Sequence, residues 1–226
     1  MKYLGILLVI SGVWAQTGTL KGRVVQSGPT KPLQGVTVSV SRAPDLKLKK
    51  GEVPAVPWYG RAGTNELGEY QLAGIPAGEY LVCAQLPDSL YLDSCEADKK
   101  PKTIEIATKK NNVDVVENIV MERGVLVYVI VEDATQRLTD NFQKTTAGLV
   151  TVRVKNRLAQ LAVVTKGMAL YRMTVERNAV HDIEVSSSGY RFGAAGLARS
   201  SVMTDDRKDV HEVRVAVTGF VAGGGK

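Results

Sequence analysis

The chain has 226 residues, 44% of them hydrophobic and 23% charged, with a net charge of +6. That apolar content fills more than one core. The positive excess is mild and spread along the chain, with Lys-Lys pairs at 49–50, 99–100 and 109–110. It points to a solvated surface and not to a nucleic-acid face. With two histidines and two cysteines in all, there is little to build a metal cluster or a His-based triad, so no catalytic residue, metal or cofactor is expected.

Taken in chain order, Met1-Lys2 supplies a charge and Tyr3 to Val13 an apolar run broken only by Gly and Ser. Val13-Trp14-Ala15 then sets small residues three before and one before a cut ahead of Gln16. This order predicts a signal peptide over 1–15. The run is too short for the roughly 20 residues of a membrane-spanning helix. No cysteine follows it, which argues against a lipid anchor. The mature chain is expected to be secreted, periplasmic or on the cell surface, with no membrane span of its own.

From there the periodicity is that of strands. Thr19 to Val25, Val36 to Val40, Glu69 to Leu72, Glu79 to Ala84, Thr103 to Ile106 and Val113 to Met121 form a first set. In the fourth of these, Tyr80, Val82 and Ala84 share one face and Leu81, Cys83 and Gln85 the other. A second set runs through Val125–Val131, Leu149–Val154, Leu161–Val164, Leu170–Val175, Asp182–Val185 and Val210–Val217. The expected fold is all-β: two Ig-like or prealbumin-like antiparallel β-sandwiches in tandem after the leader. The domains are placed at 16–122 and 125–219, divided at Glu122-Arg123-Gly124, with a flexible tail over 220–226. Cys83 and Cys95 both fall in the exported part, where an isolated pair is read as a disulfide.

Four pieces of the first half carry a resemblance. Gly22-Arg23-Val24-Val25 is followed by Lys31-Pro32-Leu33-Gln34-Gly35-Val36-Thr37-Val38. Gly63-Thr64-Asn65-Glu66-Leu67-Gly68-Glu69-Tyr70 and Gly74-Ile75-Pro76-Ala77-Gly78-Glu79-Tyr80 come after them, in that order. Over about 17–122 the chain resembles carboxypeptidase regulatory-like (transthyretin-like, carbohydrate-binding-like) domains. The resemblance implies a β-sandwich and brings no catalytic residues with it. The second half carries no comparable motif and looks like another sandwich of the same general class.

Several residues invite chemistry. His181-Asp182-Ile183-Glu184 with His211 has the look of a zinc-peptidase set, but on a strand residues three apart face opposite sides. The expectation is exposed strand residues and no metal. Lys21 lies on the first strand, yet a Lys–Asn self-crosslink needs an acid near the end of 81–85, where Gln85 stands. Asp88, Asp93, Glu96 and Asp98 show no calcium-loop spacing and read as a solvated acidic loop. The candidate binding residues are Trp58 and Tyr59, in a long insertion over 43–61, and Tyr91, in the loop over 86–98. Aromatics on long loops of a rigid scaffold either contact a ligand or pack down and pin the loop.

The function expected is a secreted, non-catalytic interaction or structural module. It would bind an extracellular or cell-envelope protein, or a glycan, through loops of the first domain, and no nucleic acid. Two alternatives are an accessory domain or subunit of an extracellular hydrolase, and a small-ligand carrier with a pocket between the domains.

Overall fold

The structure is a computed structural model describing residues 17–43, 56–95, 102–107, 114–138, 150–155, 157–165, 167–194 and 196–221. The leader read over 1–15 lies outside these residues. So do 44–55 of the 43–61 insertion, Glu96 and Asp98 of the acidic loop, and the tail beyond 221. Contacts divide the chain into two units, one of Met1–Val25, Lys31–Ala84 and Pro101–Ile119, the other of Gln26–Thr30, Gln85–Lys100 and Val120–Lys226. The described part of the 86–98 loop, expected within the first domain, therefore counts with the second unit. Its backbone shows why: Leu92 N donates to Glu122 O (2.9 Å) and Gly124 N to Leu90 O (2.7 Å).

The first unit is built from β1 (Thr17–Gln26), β2 (Thr37–Arg42), β3 (Tyr59–Gly63), β4 (Glu69–Pro76), β5 (Gly78–Gln85), β6 (Lys102–Ile106) and β7 (Asp114–Val116). They form two sheets, ordered β4-β1-β7 and β3-β2-β5-β6. Alternation sends Leu20 and Val24 of β1, Val38 and Val40 of β2, and Tyr80, Val82 and Ala84 of β5 into the core, all 3% exposed or less. Burying each of the larger ones is worth about 1.5–3 kcal/mol as an upper bound.

The motif pieces of this unit have structural work. Gly22 lies so close to β7's exit that a Cβ there would stand 1.8 Å from the Glu117 carbonyl oxygen. Gly68 adopts φ +71°, a left-handed conformation that L side chains resist. Asn65 shapes the turn before β4, its Oδ1 accepting from Leu67 N (3.0 Å) and Glu69 N (2.9 Å). Thr64 is buried, accepting from Val36 N (2.9 Å) and donating to Leu33 O (2.7 Å). That side chain ties the Pro32–Gly35 turn to the segment leading into β4.

A short strand, β8 (Ile119–Met121), precedes the second unit's own set. These strands are β9 (Val125–Glu132), β10 (Val150–Val154), β11 (Arg157–Leu158), β12 (Gln160–Thr165), β13 (Met168–Val175), β14 (Val180–Ser187), β15 (Tyr190–Arg191), β16 (Ala198–Met203), β17 (Val210–Ala216) and β18 (Gly219–Phe220). The sheets are β12-β13-β9-β17 and β11-β10-β14-β16, with β15 and β18 as a small ribbon. Val125, Val127, Val129 and Val131 of β9 meet Val152, Val154, Ile183 and Val185 in the core.

The two units share one plan. The first strand of each lies between an antiparallel neighbour (β4, β13) and a parallel last strand (β7, β17). The opposing sheets correspond in order, β3-β2-β5-β6 against β11-β10-β14-β16. The first strand of each sandwich thus has a parallel partner beside its antiparallel one, and β12 is an edge strand the first unit lacks among its described residues. No helix among the described residues is long and apolar enough to cross a membrane.

Candidate functional site

The second unit carries a pocket of about 410 Å3 on the outer face of its β12-β13-β9-β17 sheet. Leu126 and Tyr128 of β9, and Arg172 and Thr174 of β13, form its floor. The pleat explains this: Val125, Val127 and Val129 point into the core, so the residues between them point out. Registers Leu126↔Thr174 and Tyr128↔Arg172 set the four side by side. Gln160, the first residue of the edge strand β12 and the partner of Arg172 in register, closes one side.

The other wall is the 85–93 stretch. Cys83 and Cys95 are joined in a disulfide, so this stretch lies within a covalently closed loop. Further ties fix it. Asp88 pairs with Arg172 of the floor. Thr174 Oγ1 donates to Ser89 O (2.9 Å). Gln85 Nε2 donates to Asp93, whose other oxygen accepts from Cys95 N (2.9 Å). Tyr91 OH donates to Gln26 Oε1 (2.8 Å), which holds the ring in one orientation. A groove with walls fixed this way is preorganised, and a ligand entering it orders little.

Trp58 and Tyr59 belong to the first unit and Tyr91 to the second. Trp58 is half-buried, its ring 5.4 Å from that of Tyr80 in an edge-to-face contact. It also lies over Gly60, where a Cβ would approach the indole to 2.7 Å. Tyr59, by contrast, is 64% exposed. Trp58 immediately precedes β3 and Tyr59 begins it, and the first ring is packed down while the second is exposed.

His181 departs from the exposed strand residue expected of it. It is fully buried, with Nε2 2.9 Å from Glu176 O and 3.4 Å from Thr204 Oγ1. Its Nδ1 stands 3.9 Å from a Glu176 carboxylate oxygen, which Lys155 Nζ and Arg157 Nη2 also approach to 3.7 Å. Burial is the chief cause that lowers its pKa from the ordinary value, and the charges of Lys155 and Arg157 act the same way. The bond to the Glu176 carbonyl and the Glu176 charge oppose them. Glu184 faces away from the core and pairs with Arg199 at 3.6 Å. The strand geometry thus parts the two halves of the zinc-like motif. No group of three metal-capable side chains occurs among the described residues.

Lys21 forms an ion pair with Asp114 at 2.6 Å, with side chains 45% and 52% exposed. On the same outer face Arg23 pairs with Glu69 at 2.6 Å and holds its carboxyl below the usual range. These residues edge a second hollow, on the first unit's β4-β1-β7 sheet. Its charged side chains are largely committed to one another.

The floor of the 410 Å3 pocket is where sequence reasoning falls short. Tyr128 and Arg172 sit in runs that read as ordinary strand. Only the near-continuous apolar character of 125–131 hints that the outer face of β9 is covered as well.

No family model matches the chain, and no curated protein matches it. Among solved structures it is similar to the TIE protein of Bacillus anthracis, at 14% identity and a TM-score of 0.34, over 89% of this chain and 34% of that one. A streptococcal ancillary pilin is similar at 14% identity and 0.40, over 89% of this chain and 62% of that one. The minor pilin of Streptococcus agalactiae is similar at 10% identity and 0.37, over 92% of this chain and the whole of that one. The chain thus spans about a third of the first and under two thirds of the second. All three scores lie below 0.5.

Proposed function

We propose that the chain is an exported, non-catalytic module of two β-sandwiches, the first a carboxypeptidase regulatory-like domain, that holds an extracellular or cell-envelope protein or a glycan. The observation that carries this is the disulfide-closed 83–95 loop, which walls a 410 Å3 pocket over a rigid sheet. Binding loops on a fixed scaffold are a common way for such folds to act. The side chains that would have to do chemistry are engaged: His181 is inside the core, Asp88 pairs with Arg172, and Asp93 takes two hydrogen bonds. On this reading the contact surface is the described part of the 86–98 loop, residues 86–95, and the exposed Tyr59 of the first unit is a separate candidate.

The test is capture with residues 16–226 immobilised, against envelope protein and against a glycan array, compared with Gln160→Ala and Tyr128→Ala. A captured protein or glycan that either substitution releases supports the reading. Capture indifferent to both removes the pocket from it.

A further inference from the structure

We infer that the pocket on the second unit takes a neutral saccharide; this rests on the binding role just proposed and names its ligand class. Charge gives the first reason. Among the fifteen lining residues the charged ones are Asp88, Asp93, Arg157 and Arg172, two of each sign. Arg172 is taken by Asp88, and Arg157 lies 3.7 Å from the Glu176 carboxylate. With two charges of each sign, and with Asp93 already accepting from Gln85 and Cys95, the pocket has no net charge to draw a phosphate or an ammonium group.

Polarity gives the second. Ten of the fifteen lining residues carry a polar side chain. A hydrocarbon ligand would cover amides and hydroxyls without pairing them, at a cost for each group left unsatisfied. A polyol has the reverse character. Its hydroxyls both donate and accept, as the Gln85 and Gln160 amides do, and its C–H faces can lie on an aromatic ring. Two rings are present: Tyr128, half-buried on β9, and Tyr91, held through its hydroxyl by Gln26. A volume of about 410 Å3 sits near the lower end of the range of roughly 300–1,000 Å3 for small-molecule pockets. It suits a short saccharide or the end of a longer chain.

The experiment is a glycan array carrying neutral and acidic oligosaccharides, probed with residues 16–226, then calorimetric titration with the neutral oligosaccharide retained best. Binding to neutral members is expected, with affinity falling at least about tenfold in Tyr128→Ala and in Gln160→Ala. Gln160 is exposed, so its replacement keeps the test valid if Tyr128→Ala fails to fold. Retention of acidic glycans alone, of none, or of neutral glycans with both variants unaffected overturns the saccharide assignment. If no glycan is retained but a protein is captured and then released by Gln160→Ala, the ligand class is wrong and the binding role stands.

Discussion

Thr64 satisfies two buried backbone groups of the first unit, Val36 N–H and Leu33 C=O, with one hydroxyl. Replacing it with valine keeps the shape and strands both, so Thr64→Val is expected to cost about 2–4 kcal/mol, with Thr64→Ser recovering most of it. Denaturant unfolding followed by tryptophan fluorescence reads this cleanly, because Trp58 is the sole tryptophan after residue 15. The same ring separates packing from binding. Trp58→Ala should lose about 2 kcal/mol, less than the 3–5 of a fully buried aromatic, while Tyr59→Ala should stay within about 0.5 kcal/mol of wild type. His181 makes a pH prediction. Its folded pKa is lowered, so around and below pH 6.5 the unfolded chain binds the proton the core refuses. This contribution is complete above the ordinary histidine pKa and is lost as pH falls from there toward the folded value. The melting temperature should therefore drop between pH 7.5 and 5.5, and the drop should shrink in His181→Gln. A wild-type melting temperature flat over that interval would refute it.

At the scale of elements, what could be read ahead of the structure follows the pleat. Tyr80, Val82 and Ala84 share the buried face that their spacing implies, because one-sided burial gives strict alternation. The parallel pairings of β1 with β7 and β9 with β17 were not legible. Alternation says which way side chains point and nothing about which distant strand lies alongside. The burial of His181 escaped for a related reason: Val180 before it is exposed and Ile183 after it buried, so the strand's phase, which one polar residue cannot reveal, decides it. The Cys83–Cys95 pairing was readable as an isolated cysteine pair behind an expected leader, whereas the pocket it borders needed the strand order. In the chain-entropy account a loop of this size is worth about 3 kcal/mol. Cys83→Ser with Cys95→Ser should lower unfolding stability by that order. It should also weaken any ligand of the 410 Å3 pocket more than Thr64→Val does, since only the former frees the wall. Equal affinities in the oxidised and the double-serine chain would show that the loop needs no staple.

Across the whole molecule one topology appears twice, and in both copies the first and last strands are neighbours. In the second unit β9 and β17 pair in parallel from Val210↔Leu126 to Ala216↔Glu132, across more than eighty residues of chain. Such closures come late and slow folding, because the entropy of joining distant segments is spent before their contacts form. They also make the last strand indispensable. β17 covers one edge of β9 and brings Val215 into the core, with Val213 packed beside it. β18 follows and sets the Phe220 ring 5.5 Å from buried Tyr190. A chain ended at Asp209 loses all of this and leaves seven residues of β9 with an open edge, in a strand whose other edge is held by β13. We expect that chain to lose slow amide exchange across Val125–Glu132, while one ended at Val221 keeps it. Because β9 also floors the pocket through Leu126 and Tyr128, ligand retention should vanish in the shorter chain along with the protection. Protection surviving without β17 would mean that β13 and the opposing sheet suffice to hold β9, and that the parallel closure is dispensable to the fold.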